Sequence, residues 1–253
     1  CGHEPAQRPV PGMIPGLPRL YAAIDGTWPA ARLVHTGPWT LREGGGGGKR
    51  VSCASADGDW TTDDLAAAEK AMRMLDQTPL FMIRVGEDAL DAALDARGYR
   101  LIDPVTLWCT PVAALTDVEI PRVTTFALWE PLAVTREIWE EAGIGAARQR
   151  VMERVKGPKA GLLGRIDDRP AGAGFCAIHD GIAMVHALEI RAPQRGKGLG
   201  KWMMRRAAAW AGEHGAEWLA VLCLTDNAAA NGLYASLGFE VVGQYHYRIN
   251  PEA

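Results

Sequence analysis

The chain lacks the marks of several large protein classes. No apolar stretch in its 253 residues approaches the roughly eighteen needed for a membrane span, and its N-terminus has no apolar region of the secretory kind. Its five cysteines, Cys1, Cys53, Cys109, Cys176 and Cys223, are scattered and odd in number. They show no Cys-x-x-Cys or Cys/His spacing, which argues against a disulfide framework and a zinc site. The net charge is only −3, without a long run of one sign, so neither nucleic acid nor an anionic membrane is expected as the main partner. A cytoplasmic enzyme without a metal is the expectation, a lipid on the leading Cys1 being the alternative. With 48% apolar and 23% charged residues, the chain has material for an ordinary core.

Periodicity divides the chain into two patterned regions. Residues 1–18 carry five prolines and suit a disordered lead-in. Residues 19–110 read as short alternating units: a helix at Leu20 to Asp25, strands at Trp39 to Arg42 and Arg50 to Ala54, and a helix at Thr62 to Leu75. A strand at Leu80 to Arg84, a helix at Glu87 to Ala96 and a strand at Tyr99 to Cys109 complete them. The five glycines Gly44 to Gly48 read as a flexible hairpin tip, because a strand and not a helix follows them. Residues 111–121 form the expected linker, and residues 122–253 a second domain. There a strand at Thr124 to Ala127, two helices up to Val155, and strands at Gly161 to Ile166, Ala171 to Ile178 and Ile182 to Ile190 are expected. The breaks at Asp167-Asp168 and Asp180-Gly181 suit tight hairpins.

The most informative segment is Arg195-Gly196-Lys197-Gly198-Leu199-Gly200, between a predicted strand and the helical pattern that starts at Lys201. Glycines let backbone approach an anion closely, and the free N–H groups of a helix's first turn point at it. A Walker loop is excluded, since no Ser or Thr follows either Gly-Lys pair; a dinucleotide fingerprint is excluded by Lys201 in place of its third glycine. What remains, Arg-x-x-Gly-x-Gly, resembles the acyl-CoA pyrophosphate loop of the GNAT superfamily of N-acetyltransferases. Asn227-Ala228-Ala229-Ala230-Asn231-Gly232-Leu233-Tyr234 through Gly238-Phe239 is similar to the second element of that family, with Gly232 an unusual helix residue. The resemblance covers roughly Val123 to Arg248. The turn Arg97-Gly98-Tyr99 is similar to Leu237-Gly238-Phe239, so the N-terminal half reads as a degenerate GNAT-like copy that lacks both motifs and a coenzyme site.

The resemblance implies an α+β fold, a mixed and largely antiparallel sheet flanked by helices, in tandem. It implies direct attack of an amine on acetyl-CoA, with no metal; a non-catalytic acyl-CoA sensor is the alternative. Arg195, Gly196, Lys197, Gly198, Leu199, Gly200 and Lys201 would hold the pyrophosphate, and the backbone of Leu188, Glu189 and Ile190 the pantetheine arm. Tyr234 would protonate the departing sulfur, or simply pack as an aromatic; Asn227 would bind pantetheine, cap its helix, or both. For the base, His186 resembles the catalytic histidine of serotonin N-acetyltransferase-like members, and period-two geometry puts it on one face with Leu188 and Ile190. A hydrogen-bonded core histidine is the other reading, and Glu189, on the opposite face, is a second candidate base or an ion-pair partner. Trp139, Glu140, Glu141, Tyr245, His246 and Tyr247 are candidates for binding the acceptor, which is expected to be a small-molecule amine, amino acid or peptide N-terminus.

Overall fold

The computed structural model describes residues 13–251. Residues 1–12 of the expected lead-in, Cys1 among them, lie outside the described residues, and the rest of it is not a lead-in. Gly16 caps a helix α1 (Leu17–Thr27) with Pro18 in its first turn, where a missing N–H costs nothing. Leu20, Ala23 and Ile24 bury its apolar stripe. Each large side chain so buried contributes about 1.5–3 kcal/mol.

The N-terminal half continues with β1 (Arg32–Thr36), β2 (Trp39–Glu43), β3 (Ala54–Ala56), α2 (Thr62–Met74), β4 (Leu80–Ile83), α3 (Asp88–Ala96) and β5 (Arg100–Pro111). The C-terminal half is β6 (Thr125–Leu128), α4 (Ala133–Glu141), α5 (Ala146–Arg154), β7 (Lys159–Ile166), β8 (Arg169–His179), β9 (Ile182–Ile190), α6 (Leu199–Glu213), β10 (Trp218–Leu224), α7 (Ala228–Ser236) and β11 (Glu240–Ile249). Three expectations are corrected. The strand expected at Arg50 to Ala54 is a 3-10 turn at Lys49–Val51 followed by the short β3, and β1 went unrecognised because it is too polar and exposed to alternate clearly. The linker expected at 111–121 begins as a 3-10 turn, Val112–Leu115, whose Val112 and Leu115 are buried in the core under α6.

All eleven strands form one sheet, in the order β1-β2-β3-β4-β11-β5-β10-β9-β8-β7-β6. It is antiparallel except for β3 against β4 and β9 against β10. Those two parallel pairs mark an internal repeat, because β3-α2-β4-α3-β5 and β9-α6-β10-α7-β11 follow the same order. Both repeats turn after their second helix on a left-handed glycine, Gly98 (φ 80°) and Gly238 (φ 78°). The capping bonds match: Tyr99 N–H donates to the Leu94 carbonyl at 3.0 Å and Phe239 N–H to the Tyr234 carbonyl at 3.1 Å.

The repeats exchange their last strands. β11 lies between β4 and β5, and β5 between β11 and β10. Each half therefore completes its sheet with a strand of the other. Helices α2, α3, α6 and α7 cover one face; α1, α4 and α5 cover the opposite one. Arg248 on β11 fastens the exchange, donating to Asp91 at 2.7 Å and Asp95 at 2.6 Å on α3. With no edge between the halves, neither can lose its structure alone. Urea unfolding of the whole chain is expected to give one transition, coincident by far-UV circular dichroism and by fluorescence of the buried Trp39 and Trp139. Two separated transitions would disprove the coupling.

Candidate active site

The parallel pairing of β9 and β10 runs from Trp218 opposite Ile182 to Val221 opposite Val185, and stops there. Beyond that point the strands diverge, leaving backbone groups of each without the other. A cavity of about 640 Å³ fills the split, walled by Leu188 and Glu189 on one side and Leu222, Cys223 and Leu224 on the other. Tyr234 and Asn227 line it from the α7 face of the sheet, while Trp28, Arg50, His186, Tyr245 and Tyr247 line it from the α1 face.

A bulge in β9 corrects the expected facing of its side chains. Ala173 pairs with Glu189 but Phe175 with His186, so β9 has one extra residue there, and Ala187 takes a left-handed φ of 51°. The phase slips by one. Leu188 and Ile190 pack with Val185 on the α6 face, so His186 does not share a face with them; Glu189 lies on the side of His186. The indole of Trp139 donates to the Ala187 carbonyl at 3.0 Å, and its ring is wholly buried. Trp139 thus anchors the bulge from α4 and has no surface to offer an acceptor.

His186 is held as a neutral, fully engaged ring. Thr27 Oγ1 donates to the Ala23 carbonyl at 2.6 Å, so it accepts from His186 Nε2–H at 2.8 Å. The remaining lone pair, on Nδ1, accepts from Arg50 Nη1 at 3.1 Å. Burial and then the Arg50 charge hold its pKa well below the ordinary value. A base needs a free lone pair, and His186 has none. Glu189 differs: burial raises its pKa, opposed by Arg195 and Arg148, and it borders the cavity.

The glycine loop has the form of an anion cradle. Gly196 (φ 76°) and Gly198 (φ 82°) are left-handed, α6 starts without a side-chain cap, and its first turn holds no acidic residue. Gly200 permits close packing of α6 on α7, where a Cβ would stand 3.0 Å from Leu233. The Leu199 side chain is buried in the core, so only its backbone faces outward. Arg195 Nε donates to the Ile190 carbonyl at 2.9 Å, and Lys197 to Gln194 at 2.8 Å. Lys201 stands on the first turn of α6. Asn227 caps α7, accepting from Ala230 N–H at 3.0 Å. Tyr234 is buried against Trp108 and Phe239; burial, then Cys223 and Glu189, push its pKa up and keep its phenol protonated.

Other expected acceptor residues divide. Tyr245 and Tyr247 lie in the cavity floor. Glu140 is exposed and away from it, Glu141 pairs with Arg191, and His246 turns to Asp91 on the opposite face. Sequence reasoning missed Trp28, Lys49, Arg50 and Arg148, all of which line the cavity. The glycine run before Lys49-Arg50 was the available signal. It is no free hairpin tip: Gly44 and Gly47 are buried, and a Cβ on Gly47 would meet Val151 of α5 at 2.6 Å. The run packs the N-terminal half onto α5 and delivers Arg50 to the cavity. Among the described residues no cluster of metal-ligating side chains occurs, and no helix is long and apolar enough to cross a membrane.

Known proteins resemble this chain in sequence and in fold. Residues 123–239 match the Acetyltransferase (GNAT) family. The chain is 27% identical over 245 residues, 92% of its length, to an uncharacterized N-acetyltransferase of Bacillus subtilis (strain 168), YobR, of which it covers 97%. In structure it resembles a GCN5-related N-acetyltransferase from Kribbella flavida, with a TM-score of 0.69, 20% identity, and coverage of 93% of this chain and 96% of that one. A tandem GNAT protein from the clavulanic acid biosynthesis pathway superimposes with a TM-score of 0.57 and 17% identity over 78% of this chain and 74% of that one.

The environment of Glu189 has a consequence for stability. Its folded pKa is raised, so the stability this residue contributes is fully present below the unfolded value of about 4.3 and is lost as pH rises through the folded value. Glu189→Gln removes the ionisation. The variant is expected to melt above the wild type at pH 8, with the gap closing towards pH 4; a gap independent of pH would refute the raised pKa.

Proposed function

We propose that the chain, whose residues 123–239 match the GNAT family of acetyltransferases, moves an acetyl group from acetyl-CoA to an amine by direct attack on the thioester. The observation that carries this reading is the split between β9 and β10, a cavity lined from both faces of the sheet, in a chain whose next helix, α6, begins with no side-chain cap and no acidic residue in its first turn. The residues fit an acyl-CoA: Arg195, Lys197, Lys201 and the first-turn N–H groups of α6 suit its pyrophosphate. Asn227 and the edge of β9 from Leu188 to Ile190 that β10 leaves uncovered suit the pantetheine arm. When bound, the coenzyme supplies the activated acetyl group.

The protein's own part is to move two protons. Glu189, ionised, takes a proton from the incoming ammonium and leaves a nucleophilic amine. An N–H at the open end of β9 polarises the carbonyl, and Tyr234, kept protonated by burial, donates to the departing sulfur. His186 positions Arg50 and does not exchange a proton. The N-terminal repeat is read as the copy without a coenzyme site. At the equivalent helix end, Thr61 and Asp64 form a capping box, and Asp63 and Asp64 oppose an anion.

Thiol release from acetyl-CoA over a panel of amines, amino acids and peptides tests the proposal. Turnover is expected on at least one class, with one coenzyme bound per chain. Tyr234→Phe and Glu189→Gln should each lower kcat about 10²-fold or more. Because the Glu189 pKa is raised, kcat/KM should fall on acidification along a limb lying above the ordinary glutamate range, and Glu189→Gln should abolish that limb. Tight coenzyme binding without turnover on any amine would make the protein a sensor instead.

A further inference from the structure

Among the described residues Arg50, Arg84, Arg154 and Arg205 each have a buried nitrogen without a partner, and of these only Arg50 lines the cavity of the split. The three most buried arginines each hold a carboxylate: Arg42 binds Asp25 through Nε and Nη2, each at 2.7 Å, Arg205 binds Asp117, and Arg248 binds Asp91 and Asp95. Arg50 has none. Its one hydrogen bond runs to the neutral ring of His186, Trp28 stacks 5.9 Å from its guanidinium carbon, and its Nε is buried without a partner. The residue lines the cavity. Beside it stands Tyr245, 2% exposed, whose hydroxyl also lies buried without a hydrogen bond.

A guanidinium out of water without a counter-charge is costly, and two orphaned donors at one cavity floor add to that cost. The phenols of Tyr245 and Tyr247 favour the charged guanidinium, but no carboxylate of the described residues pairs with it. Lys49 is occupied by Asp103, Arg148 adds a second positive group at the cavity wall, and Glu189 answers to Arg148 and Arg195. The missing partner is an anion that enters through the cavity on the α1 face, opposite Tyr234 and Asn227.

Resting on the transferase reading, we propose that the acceptor is an amine that carries a carboxylate, which Arg50 and the Tyr245 hydroxyl bind while Glu189 receives the amine. A carboxylate is the anion matched to one planar guanidinium fork and one phenol donor. His186, locked between Thr27 and Arg50, is a positioning residue for that fork. At this end of the cavity the protein supplies the cation and the acceptor the anion.

Matched pairs test the inference: amino acids against their carboxamides and their decarboxylated amines, read by thiol release and by shift of melting temperature in the presence of coenzyme A. The acids are expected to be preferred, and Arg50→Gln should lower that preference about thirtyfold or more, the loss typical when one partner of a buried charged pair is removed. Arg50→Lys, which keeps charge but not the fork, should fall between. Tyr245→Phe removes a hydroxyl that has no partner in the chain, so it should leave the melting temperature unchanged or raised while raising KM for the acids; it serves where Arg50→Gln fails to fold. Equal use of acids and amides, or a preference that survives the Arg50 variants, overturns the inference and leaves the transferase reading intact. Arg50-dependent binding of the acids without acetyl transfer supports the anion site and sinks the transferase reading. No effect of any acid on turnover or melting overturns the inference.

Discussion

The exchange of β5 and β11 is the constraint on which the rest depends. Placing the last strand of each repeat inside the sheet of the other joins two half-sheets into one surface of eleven strands. This removes the two edges that separate domains would present, and an unpaired edge is a liability that proteins otherwise cover. It also fixes where α1 and the loop after β2 can go. With β5 and β11 in the middle, α1 packs across the junction and reaches β8 and β9, so that Thr27 and Trp28 at its end meet His186.

That arrangement divides the chemistry between the repeats. The C-terminal repeat contributes the parallel pair, its split and the glycine loop. The N-terminal repeat contributes Trp28, Lys49 and Arg50, and β11, though C-terminal in sequence, brings Tyr245 and Tyr247 to the same floor because it pairs with β4 and β5. A half with no free helix end of its own thus shapes the opposite side of the cavity. The bulge at Ala187 completes the division. One extra residue, anchored by Trp139, rotates Glu189 away from α6, where Leu188 and Ile190 remain in the core.

What was legible in the sequence had local causes. The glycine loop and the Asn227-to-Phe239 segment carry their geometry within a dozen residues, and the helices and C-terminal strands show clean periods with turn residues at their ends. Their positions came out close to those observed. What was illegible depends on contacts far apart in the chain. Period-two reasoning gave the wrong face for Glu189 because a bulge is held by Trp139, 48 residues away in sequence. His186 looked like a base because neither Thr27 nor Arg50, 159 and 136 residues away, announces its contact with it. The Gly44 to Gly48 run read as flexible since the packing that excludes side chains there, against Val51, Ser52 and Val151 of α5, appears only in the folded chain.

The same distance dependence explains the electrostatic asymmetry of the cavity. Arg42 and Arg50 are eight residues apart, on either side of the glycine run. Arg42 points at Asp25 on α1 and is neutralised within its own half. Arg50 is carried past the end of α1 onto the C-terminal repeat, where the nearest polar partner is a histidine that must stay neutral to accept its hydrogen bond. Protonating His186 would put two cations 3.1 Å apart with no counter-ion, so the pair is stable in only one charge state. A neutral His186 therefore keeps Arg50 oriented but cannot balance its charge. On the proposed reading the balance comes from the carboxylate of the acceptor, and the N-terminal repeat is then the half that selects it.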